Sequence, residues 1–577
     1  MMITPRRTMA TVAIAAVLAG CAGIPSSGPV ERVADDGGPD QSTVRYAPVG
    51  PSRGASPQQI VRGFLDAMLA YPVSTGTAAL YLTPDAAKRW RSSQGVTVYT
   101  SPEVNLSETA VLDAVRESVI VDLRTSPVAR LDRQGHFTPG GVGKPRAYVL
   151  EKIKGQWRIS NPQDGVMVTR TFYDDYFRPF SLYFFDAPGE RVVPDLVHLA
   201  VGEQLPTALV TALARGPGRA PGALRTYVPG VGSLRPSVTV GDADVADVEF
   251  SASLTKLSTH EQERLAAQIV WTLRSVPALL GVRIFGGTPI LSARGERVHP
   301  VDSWGGFGPP AGNAHTYALV DDKLVEIDGT SVRPVEGAWG RDANGAVDVA
   351  VDDDSVAAVL RGRDRVRITA RGGGRPLEVD SGGFIAPQWD PDNRLWLIDR
   401  PARSTRVRIV DDDNKVRTLP ARGLRGLTVR SFAISPDGAR YVLTGTDGAG
   451  PSIYVGQVRR DKDGRLAALG QPRRLAVGVG EPRSVGWVST TRFGFLGASD
   501  AGVQRYEVAY DGTDLTGGVT GGGPLLPDVD AASLAGRTGE NAARWVVDAR
   551  RRLWYLPPDE SWRLVDDRRF SGLSTGN

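Results

Sequence analysis

The sequence PQWDPDNRLWL at residues 387–397 returns in altered form as FAISPDGARYV at residues 432–442. Each segment joins an apolar strand end to a second apolar strand through a polar turn that contains aspartate. Apolar runs on both sides of such a turn predict an antiparallel hairpin. Two copies of the same hairpin in one chain indicate a repeat architecture.

Further copies extend the repeat over the C-terminal half of the chain. If Val351, Trp389, Ile434, Trp487 and Val547 are equivalent positions, successive copies lie 38, 45, 53 and 60 residues apart, and Leu319–Leu324 is an earlier copy. A hairpin repeat of this length is typical of propeller blades, since one blade takes ~45 residues. We therefore predict an all-β propeller of about six blades across residues 299–577.

Two features of the propeller sequence have a second interpretation. The aspartate-rich stretches Asp352–Asp354 and Asp411–Asn414 suggest calcium, but neither has the ligand order of a calcium loop with a distal glutamate. We interpret them as polar turns, and we predict no metal site and no cofactor. We expect the tryptophans to pack between blades, with a sugar-binding face as the alternative; they are Trp389, Trp396, Trp487 and Trp554.

Residues 181–298 predict a separate α/β unit. A helix over Leu205–Arg215 precedes a second helix that begins at Ser258, where Ser258 and Glu261 form a capping box. The sequences VEFS (248–251), QIVWTL (268–273) and VRIF (282–285), followed by Gly287, resemble the GerMN domain, named from a spore germination protein. The family usually has Asp where this chain has Glu249. The resemblance implies an extracytoplasmic binding or scaffolding module with no established chemistry.

Two short fragments in this unit look like pieces of enzyme motifs. Ser253–Lys256 fits the S-x-x-K nucleophile motif of penicillin-binding proteins, but the chain has neither S-D-N nor K-T-G. His260 and Glu261 begin like the zinc motif H-E-x-x-H, but position 264 is Arg. We therefore predict no catalytic residue here.

Residues 57–180 predict an α+β unit in which helices come first and strands follow. Ser56 and Pro57 open a helix whose apolar stripe includes Phe64 and Met68. A second helix is expected over Ala78–Trp90, and the last strand over Val166–Phe172. The order looks like an NTF2-like cone. Because His136 is the only histidine of this unit, we do not predict a catalytic site in it.

The N-terminus predicts a lipid anchor. Arg6 and Arg7 precede a short apolar run that ends in Leu18-Ala19-Gly20-Cys21, and Cys21 is the only cysteine. This layout is that of a secretory signal (1–20) too short to span a bilayer, and its last four residues resemble a bacterial lipobox. That resemblance implies cleavage between Gly20 and Cys21 and attachment of the membrane lipid to Cys21. The composition of residues 21–56 predicts a flexible tether.

Composition sets limits on function. The 577 residues include 68 basic and 64 acidic side chains, mixed along the chain, so no basic field for nucleic acid is expected. A single cysteine leaves no disulfide, and no stretch after Cys21 is apolar for the ~18 residues of a membrane helix.

Lipobox, NTF2-like unit, GerMN unit and propeller, in this order, resemble the actinobacterial LpqB lipoprotein family over the whole chain. The resemblance implies a lipid-anchored protein on the extracytoplasmic face of the cell membrane. It also implies an accessory or scaffold role for a sensor histidine kinase of the MtrAB type, in cell-wall homeostasis and division. The alternative is an envelope glycan-binding protein or hydrolase that uses the propeller face. A pair of carboxylates at the central mouth would favour that alternative.

Overall fold

The computed structural model describes residues 48–576 apart from residues 73, 110–117, 141–145, 219–223, 230–235, 242, 252–253, 255, 288–289, 310–314, 371–373, 386, 401–404, 412, 462, 476–477, 500–501, 516–525, 527–530, 537–543 and 558–560. Gly20, Cys21 and most of the predicted tether lie outside the described residues, as does Ser253. Among the described residues, no helix combines the length and apolar character needed to cross a membrane.

The first unit packs helices against a six-stranded sheet of order β5-β4-β2-β1-β6, with β3 paired to β2. The Ser56 hydroxyl accepts from the amide of Gln59, whose side chain accepts from the amide of Ser56, so this capping box starts α1. The elements are α1 (Pro57–Ala67), α2 (Gly76–Ala79), α3 (Pro84–Arg89), β1 (Val96–Thr109), β2 (Ser118–Leu131), β3 (Phe137–Pro139), β4 (Arg146–Ile153), β5 (Gln156–Ile159), β6 (Val166–Thr169) and α4 (Arg170–Tyr176).

Two predicted elements of this unit were wrong. The helix expected over Ala78–Trp90 is two short helices, because Thr83 is extended, caps α3 with its hydroxyl and is followed by Pro84. The strand expected over Val166–Phe172 ends at Thr169, whose hydroxyl accepts from the amide of Phe172 and so starts α4. Local capping decided both boundaries.

The second unit encloses two helices between sheets of order β8-β7-β9 and β10-β11-β12-β13. Helix α6 begins at the predicted capping box of Ser258 and Glu261 and buries residues around its whole circumference, including Gln268 and Thr272. Strand β7 crosses position 180/181, where the sequence analysis divides the first two units. The elements are β7 (Phe177–Asp186), β8 (Val192–Ala200), α5 (Leu205–Ala214), β9 (Leu224–Arg225), β10 (Ser237–Val240), β11 (Val245–Phe250), α6 (Thr259–Leu273), β12 (Gly281–Gly286) and β13 (His299–Pro300).

The third unit is a β-propeller whose described strands form six blades. Blades 1 to 5 follow one another along the chain, and blade 6 combines the C-terminal strand β37 with β14, β15 and β16, which closes the ring.

The blades are as follows, innermost strand first: blade 1, β17 (Ala346–Val351), β18 (Ser355–Leu360), β19 (Arg365–Ala370) and β20 (Leu377–Asp380); blade 2, β21 (Gln388–Trp389), β22 (Leu395–Asp399), β23 (Arg406–Val410) and β24 (Val416–Leu419); blade 3, β25 (Thr428–Ile434), β26 (Arg440–Asp447) and β27 (Gly450–Arg460), which pairs with β28 (Leu466–Leu469) and β29 (Arg473–Leu475); blade 4, β30 (Val485–Trp487), β31 (Arg492–Ser499) and β32 (Gly502–Ala509); blade 5, β33 (Ala531–Gly536), β34 (Arg544–Asp548), β35 (Leu553–Leu556) and β36 (Arg563–Asp566); blade 6, β37 (Phe570–Thr575), β14 (Thr316–Val320), β15 (Lys323–Asp328) and β16 (Ser331–Pro334).

The predicted register of the repeat is correct for blades 1 to 4 and wrong for the other two. The turns after Val351, Trp389, Ile434 and Trp487 join the first and second strands of a blade, whereas those at Val547 and Val320 join the second and third. The chemistry of the turns explains the error: Asp390 accepts from the indole of Trp396 at 2.9 Å, and Asp548 accepts from that of Trp554 at 3.0 Å. The same aspartate turn therefore occurs both between the first and second strands of a blade and between the second and third. The spacing of 60 residues between Trp487 and Val547 is for this reason not the length of one blade.

Candidate functional site

The zinc-like fragment at His260 and Glu261 forms no metal site among the described residues, and Ser253 of the other fragment lies outside them. Glu261 is occupied by its capping box, and its partner in the zinc-like motif, His260, is exposed. Arg264, where a zinc motif needs histidine, is buried and donates to the carbonyl of Gly189 at 2.7 Å. Among the described residues, no group of three or more His, Cys, Asp or Glu side chains is placed to hold a metal ion.

One cluster of buried charged side chains lies where the three units meet. His136 lies in the turn between β2 and β3 of the first unit, with Nδ1 3.0 Å from Asp132 and Nε2 2.8 Å from Asp195 on β8 of the second unit. Burial alone would lower the pKa of His136, but the hydrogen bonds to the two carboxylates outweigh it and raise the pKa to about 9. An imidazolium ion therefore joins the first two units at neutral pH.

The approach of this turn to β8 depends on a glycine. Gly135 has φ +98°, and a Cβ atom there would lie 2.8 Å from the carbonyl oxygen of His198. The amide of His198 donates to the carbonyl of Gly135 at 2.8 Å. A side chain at this position would push the turn away from β8 and weaken the contact between the two units.

A second histidine joins all three units. His198 is 2% exposed and lies between the hydroxyl of Tyr173 from α4, 2.9 Å from Nδ1, and the carboxylate of Asp511 from the propeller, 2.8 Å from Nε2. A carboxylate only accepts, so Nε2 carries the proton. Burial opposes ionisation of Asp511, but the interactions with His198 and the two hydrogen bonds from Thr513 together outweigh it and lower the pKa of Asp511. This contact ties blade 4 to the two preceding units.

An arginine from blade 3 completes the contact with the propeller. Arg440 is 6% exposed, donates to the carbonyl of Pro194 at 2.8 Å and lies over the ring of Tyr510, 4.2 Å from its centroid. The Tyr510 oxygen accepts from the amide of Leu196 at 2.8 Å. Asp195, which bonds His136, lies 3.7 Å from Arg440. We call His136, Asp195, His198, Arg440 and Asp511, with their neighbours, the junction.

An ionic contact flanks the junction on blade 2. Asp392 binds Arg191 of the second unit and lies 2.8 Å from Arg394 and 3.1 Å from Arg460. Burial opposes ionisation of Asp392, but Arg460 and Arg191 outweigh it and lower its pKa. All these contacts use turns at one end of the propeller, so that end faces the second unit.

A cavity of about 530 Å³ runs along the axis of the propeller. Its wall extends from Pro391 and Pro436, near the end that faces the second unit, to Arg430 and Arg483 at the start of inner strands. Two carboxylates line it, and both are bound: Asp348 to Arg363 at 3.0 Å and Asp548 to Arg552 at 2.8 Å. The free acid pair that a hydrolase requires is not formed by these two residues.

The tryptophans of the repeat pack between blades, as the sequence predicts. Trp389 of blade 2 donates to the carbonyl of Ala350 in blade 1, and Trp487 of blade 4 to that of Ala433 in blade 3. Trp396 is 1% exposed and Trp554 is 8% exposed. Trp487 is 7% exposed and Trp389 is half-buried, and both of them also line the axial cavity.

Comparison with known families matches three parts of the chain. Residues 50–174 match the N-terminal domain of lipoprotein LpqB, residues 181–289 match a family described as sporulation and spore germination, and residues 322–569 match the LpqB β-propeller domain. The chain belongs to the LpqB family of lipoproteins. The resemblance inferred from the sequence is thereby confirmed, as are the GerMN and propeller units of the predicted fold.

Curated LpqB relatives align along most of this chain. Lipoprotein LpqB of Cutibacterium acnes is 29% identical and covers 89% of this chain and 90% of its own, and that of Streptomyces coelicolor is 28% identical over 85% of each. These relatives are named as lipoproteins. Among solved structures, a protein of unknown function from Desulfotomaculum acetoxidans is 12% identical to this chain, with a TM-score of 0.29. The match covers 46% of this chain and 99% of that protein.

Sequence analysis missed both the junction and the cavity in this LpqB chain. The sequence singles out His136 only as a possible catalytic residue, whereas in the structure this histidine bonds carboxylates of two units. The available signal was the pairing of rare histidines with aspartate: Asp132 stands four residues before His136, and Asp195 three before His198. Because Asp511 is more than 300 residues away from His198, no local pattern connects the two.

Proposed function

We propose that this protein is a lipid-anchored accessory protein on the extracytoplasmic face of the membrane. It modulates a sensor histidine kinase of the MtrAB type in cell-wall homeostasis and division by binding the kinase's extracytoplasmic domain. We propose further that it is not an enzyme. Membership of the LpqB lipoprotein family supports the anchor, and the junction supports the mode of action.

The junction is the observation that carries the proposal. Breaking a buried ion pair by removing one partner costs about 3–5 kcal/mol. His136 and Arg440 each make such a contact across a boundary between units, and His198 adds a buried hydrogen bond to Asp511. The propeller is therefore held in one orientation relative to the unit that follows the tether. A scaffold needs this property, because it must present one surface to a partner.

The length of the tether limits the distance between the membrane and the surface that binds the partner. Residues 49–56 already contact the first unit through Val49 and Gly54, so a flexible chain as predicted would comprise residues 21–47, with a root-mean-square span of roughly 26–31 Å. The lipid on Cys21 confines the three units to this distance from the bilayer, where a kinase sensor domain also lies. Confinement of this kind raises the effective concentration of a partner to the order of 1 mM.

The state of the polar side chains supports a non-enzymatic role. His136 and His198 are held in the junction, His315 lies 2.5 Å from Glu326, and His299 is fully buried beside Trp304. The two aspartates of the axial cavity are bound to arginine. His198 lies 2.9 Å from the Tyr173 hydroxyl and 3.0 Å from the Thr513 hydroxyl, but it is 2% exposed, so this arrangement is closed to a substrate.

The test measures kinase activity in membranes. Proteoliposomes that contain the full-length kinase are mixed with the lipidated protein, and the rate of kinase autophosphorylation is recorded. We expect a change in rate with the lipidated protein. The unlipidated Cys21→Ser chain at the same bulk concentration should give a much smaller change, because the effective concentration is lost. An unchanged rate with the lipidated protein contradicts the proposal.

A junction variant serves as the matched test of mechanism. His198→Gln removes the contact with Asp511, whereas His260→Gln changes an exposed histidine of the same unit. Only the first should reduce the effect on the kinase. Equal activity of both variants means that the fixed orientation is not used.

A further inference from the structure

Small polar side chains line the axial cavity of the propeller on five of its blades. Asp348 of blade 1, Ser431 of blade 3 and Ser484 of blade 4 each lie three residues before the end of the inner strand. The inner strands of blades 5 and 6 add Ser533 and Ser571. All five residues lie in the wall of the cavity, and we call them the polar ring.

Hydrogen bonds between neighbouring blades set the level of the polar ring along the axis. The hydroxyl of Ser431 accepts from the amide of Val485 at 3.2 Å, and that of Ser484 accepts from the amide of Leu534 at 3.2 Å. Val485 and Leu534 directly follow Ser484 and Ser533, so each serine stands beside the next one around the axis. A hydroxyl that accepts can still donate its proton. Among the described residues neither serine hydroxyl donates to another group, so both protons can reach a molecule in the cavity.

Irregular strand pairing accompanies the polar ring. In blades 1, 3 and 5 the pairing of the inner strand with the second strand shifts by one residue immediately before the ring residue. A β-bulge of this kind bends the strand and re-aims a side chain, and bulges are frequent next to active sites. The same irregularity in three blades indicates that the inner strands are shaped to turn the ring residues toward the axis. The shifts lie between Ala346 and Asp348, between Val429 and Ser431, and between Ala531 and Ser533.

Two indole groups line the same cavity nearer to the second unit. Trp487 lies three residues beyond Ser484 at the end of its inner strand, and Trp389 ends the inner strand of blade 2. Since a strand rises ~3.3 Å per residue, the indoles lie roughly 10 Å from the polar ring along the axis. Their N–H groups donate to carbonyls of the preceding blades, which fixes the orientation of both rings. The wall therefore combines hydroxyl groups at one level with flat apolar surfaces at another.

Charged side chains of the wall already have partners within the protein. The two aspartates of the wall are bound to arginine, Arg430 binds Glu481, and Arg505 lies 2.6 Å from Glu507. These pairs do not require a charged ligand. The hydroxyl and indole groups instead suit a ligand that both donates and accepts hydrogen bonds and also has an apolar face.

We propose that the axial cavity binds a neutral oligosaccharide. A sugar hydroxyl donates and accepts hydrogen bonds as a serine hydroxyl does, and the apolar face of a sugar ring packs against an aromatic ring. The cavity volume of about 530 Å³ lies within the ~300–1,000 Å³ of small-molecule sites. A ligand that contacts both levels must span roughly 10 Å, which exceeds the length of one sugar ring. This site does not depend on the kinase proposal, and either can fail without the other.

The test is isothermal titration calorimetry of the purified full chain in a polyoxyethylene detergent, which has no sugar headgroup. The probes are the neutral trimers of N-acetylglucosamine and of glucose. We expect saturable binding of at least one trimer at one site per chain, and the preferred trimer shows whether the site accepts acetamido groups. The absence of saturable binding of both trimers up to about 10 mM overturns the proposal, because such an affinity is too weak for a built site.

Matched serine variants locate the binding within the propeller. Ser571→Ala removes a half-buried hydroxyl from the inner strand of blade 6, and Ser331→Ala removes a half-buried hydroxyl from the outer strand β16 of the same blade. The affinity of Ser571→Ala should fall about fivefold, the effect of one neutral hydrogen bond. Ser331→Ala should bind as wild type does. Equal affinity of wild type and Ser571→Ala, or an equal loss in both variants, overturns the proposal.

A further variant fills the cavity. Ser571→Phe adds an aromatic ring at the level of the polar ring and should abolish measurable binding, while the melting temperature confirms that the variant is folded. Wild-type affinity in folded Ser571→Phe means that the sugar binds outside the cavity, which overturns the proposal. If Ser571→Phe does not fold, the comparison of Ser571→Ala with Ser331→Ala decides the question.

Discussion

Replacing His136 by glutamine should destabilise the protein by an amount that depends on pH. In the folded protein the pKa of His136 is raised from 6.5 to about 9 by Asp132 and Asp195, and this side chain is 6% exposed. A group whose pKa is raised on folding stabilises the folded state fully below its unfolded pKa and loses this effect as pH rises through the folded pKa. The protonated imidazole therefore contributes at acidic and neutral pH and contributes little above pH 9.

The size of the effect follows from the two pKa values. Linkage gives a contribution of about 3 kcal/mol at pH 6, about 2 kcal/mol at pH 7.5 and about 0.2 kcal/mol at pH 9.5. The lowered pKa of Asp132, about 2, describes the same interaction from the other partner, so the two shifts are not added. His136→Gln should thus lose most of its stability deficit between pH 6 and pH 9.5.

Urea denaturation followed by tryptophan fluorescence measures this directly. Wild type, His136→Gln and the exposed control His260→Gln are unfolded at pH 6, 7.5 and 9.5. The control should match wild type at each pH. A deficit for His136→Gln that is the same at pH 6 and pH 9.5 would show that the imidazole acts through packing and not through its charge.

Three further outcomes are expected. Cys21→Ser should abolish incorporation of a fatty-acid analogue, and equal labelling of variant and wild type would refute the lipid anchor. Ser253→Ala should complement a strain that lacks the protein, and loss of function in a folded Ser253→Ala protein would favour an enzyme. The double variant Leu265→Asp with Ile269→Asp should not complement the strain. Each of its carboxylates replaces a fully buried side chain of α6, which costs several kcal/mol of folding free energy. After proteolytic cleavage within residues 310–314 the two fragments should co-elute in size-exclusion chromatography, because His198–Asp511 and Arg440–Pro194 still join them, and separate elution would contradict the junction.

Sequence patterns were informative wherever a few neighbouring residues decide the structure. The N-cap predicted at Ser56 and the capping box predicted at Ser258 both start helices, since the capping partners lie within three residues of each other. The aspartate turns identified the propeller for a similar reason. They could not distinguish which pair of strands each turn joins, because Asp390 and Asp548 make the same bond to tryptophan.

Local sequence patterns of this kind could not predict the contacts between units or between blades. The junction depends on His136, Asp195 and Asp511, which come from three units. The residues that line the axial cavity come from all six blades, and blade 6 joins the two ends of the propeller sequence. No local pattern in the sequence therefore reveals the cavity.

The most direct test of the proposed function is reversible crosslinking in living cells followed by purification of the lipidated protein from membranes and mass spectrometry. We expect crosslinked peptides between this protein and the extracytoplasmic domain of a sensor histidine kinase. We also expect His198→Gln to lower their yield and His260→Gln to leave it unchanged. Recovery of intact, membrane-bound protein with no kinase peptide in any crosslinked product would contradict it.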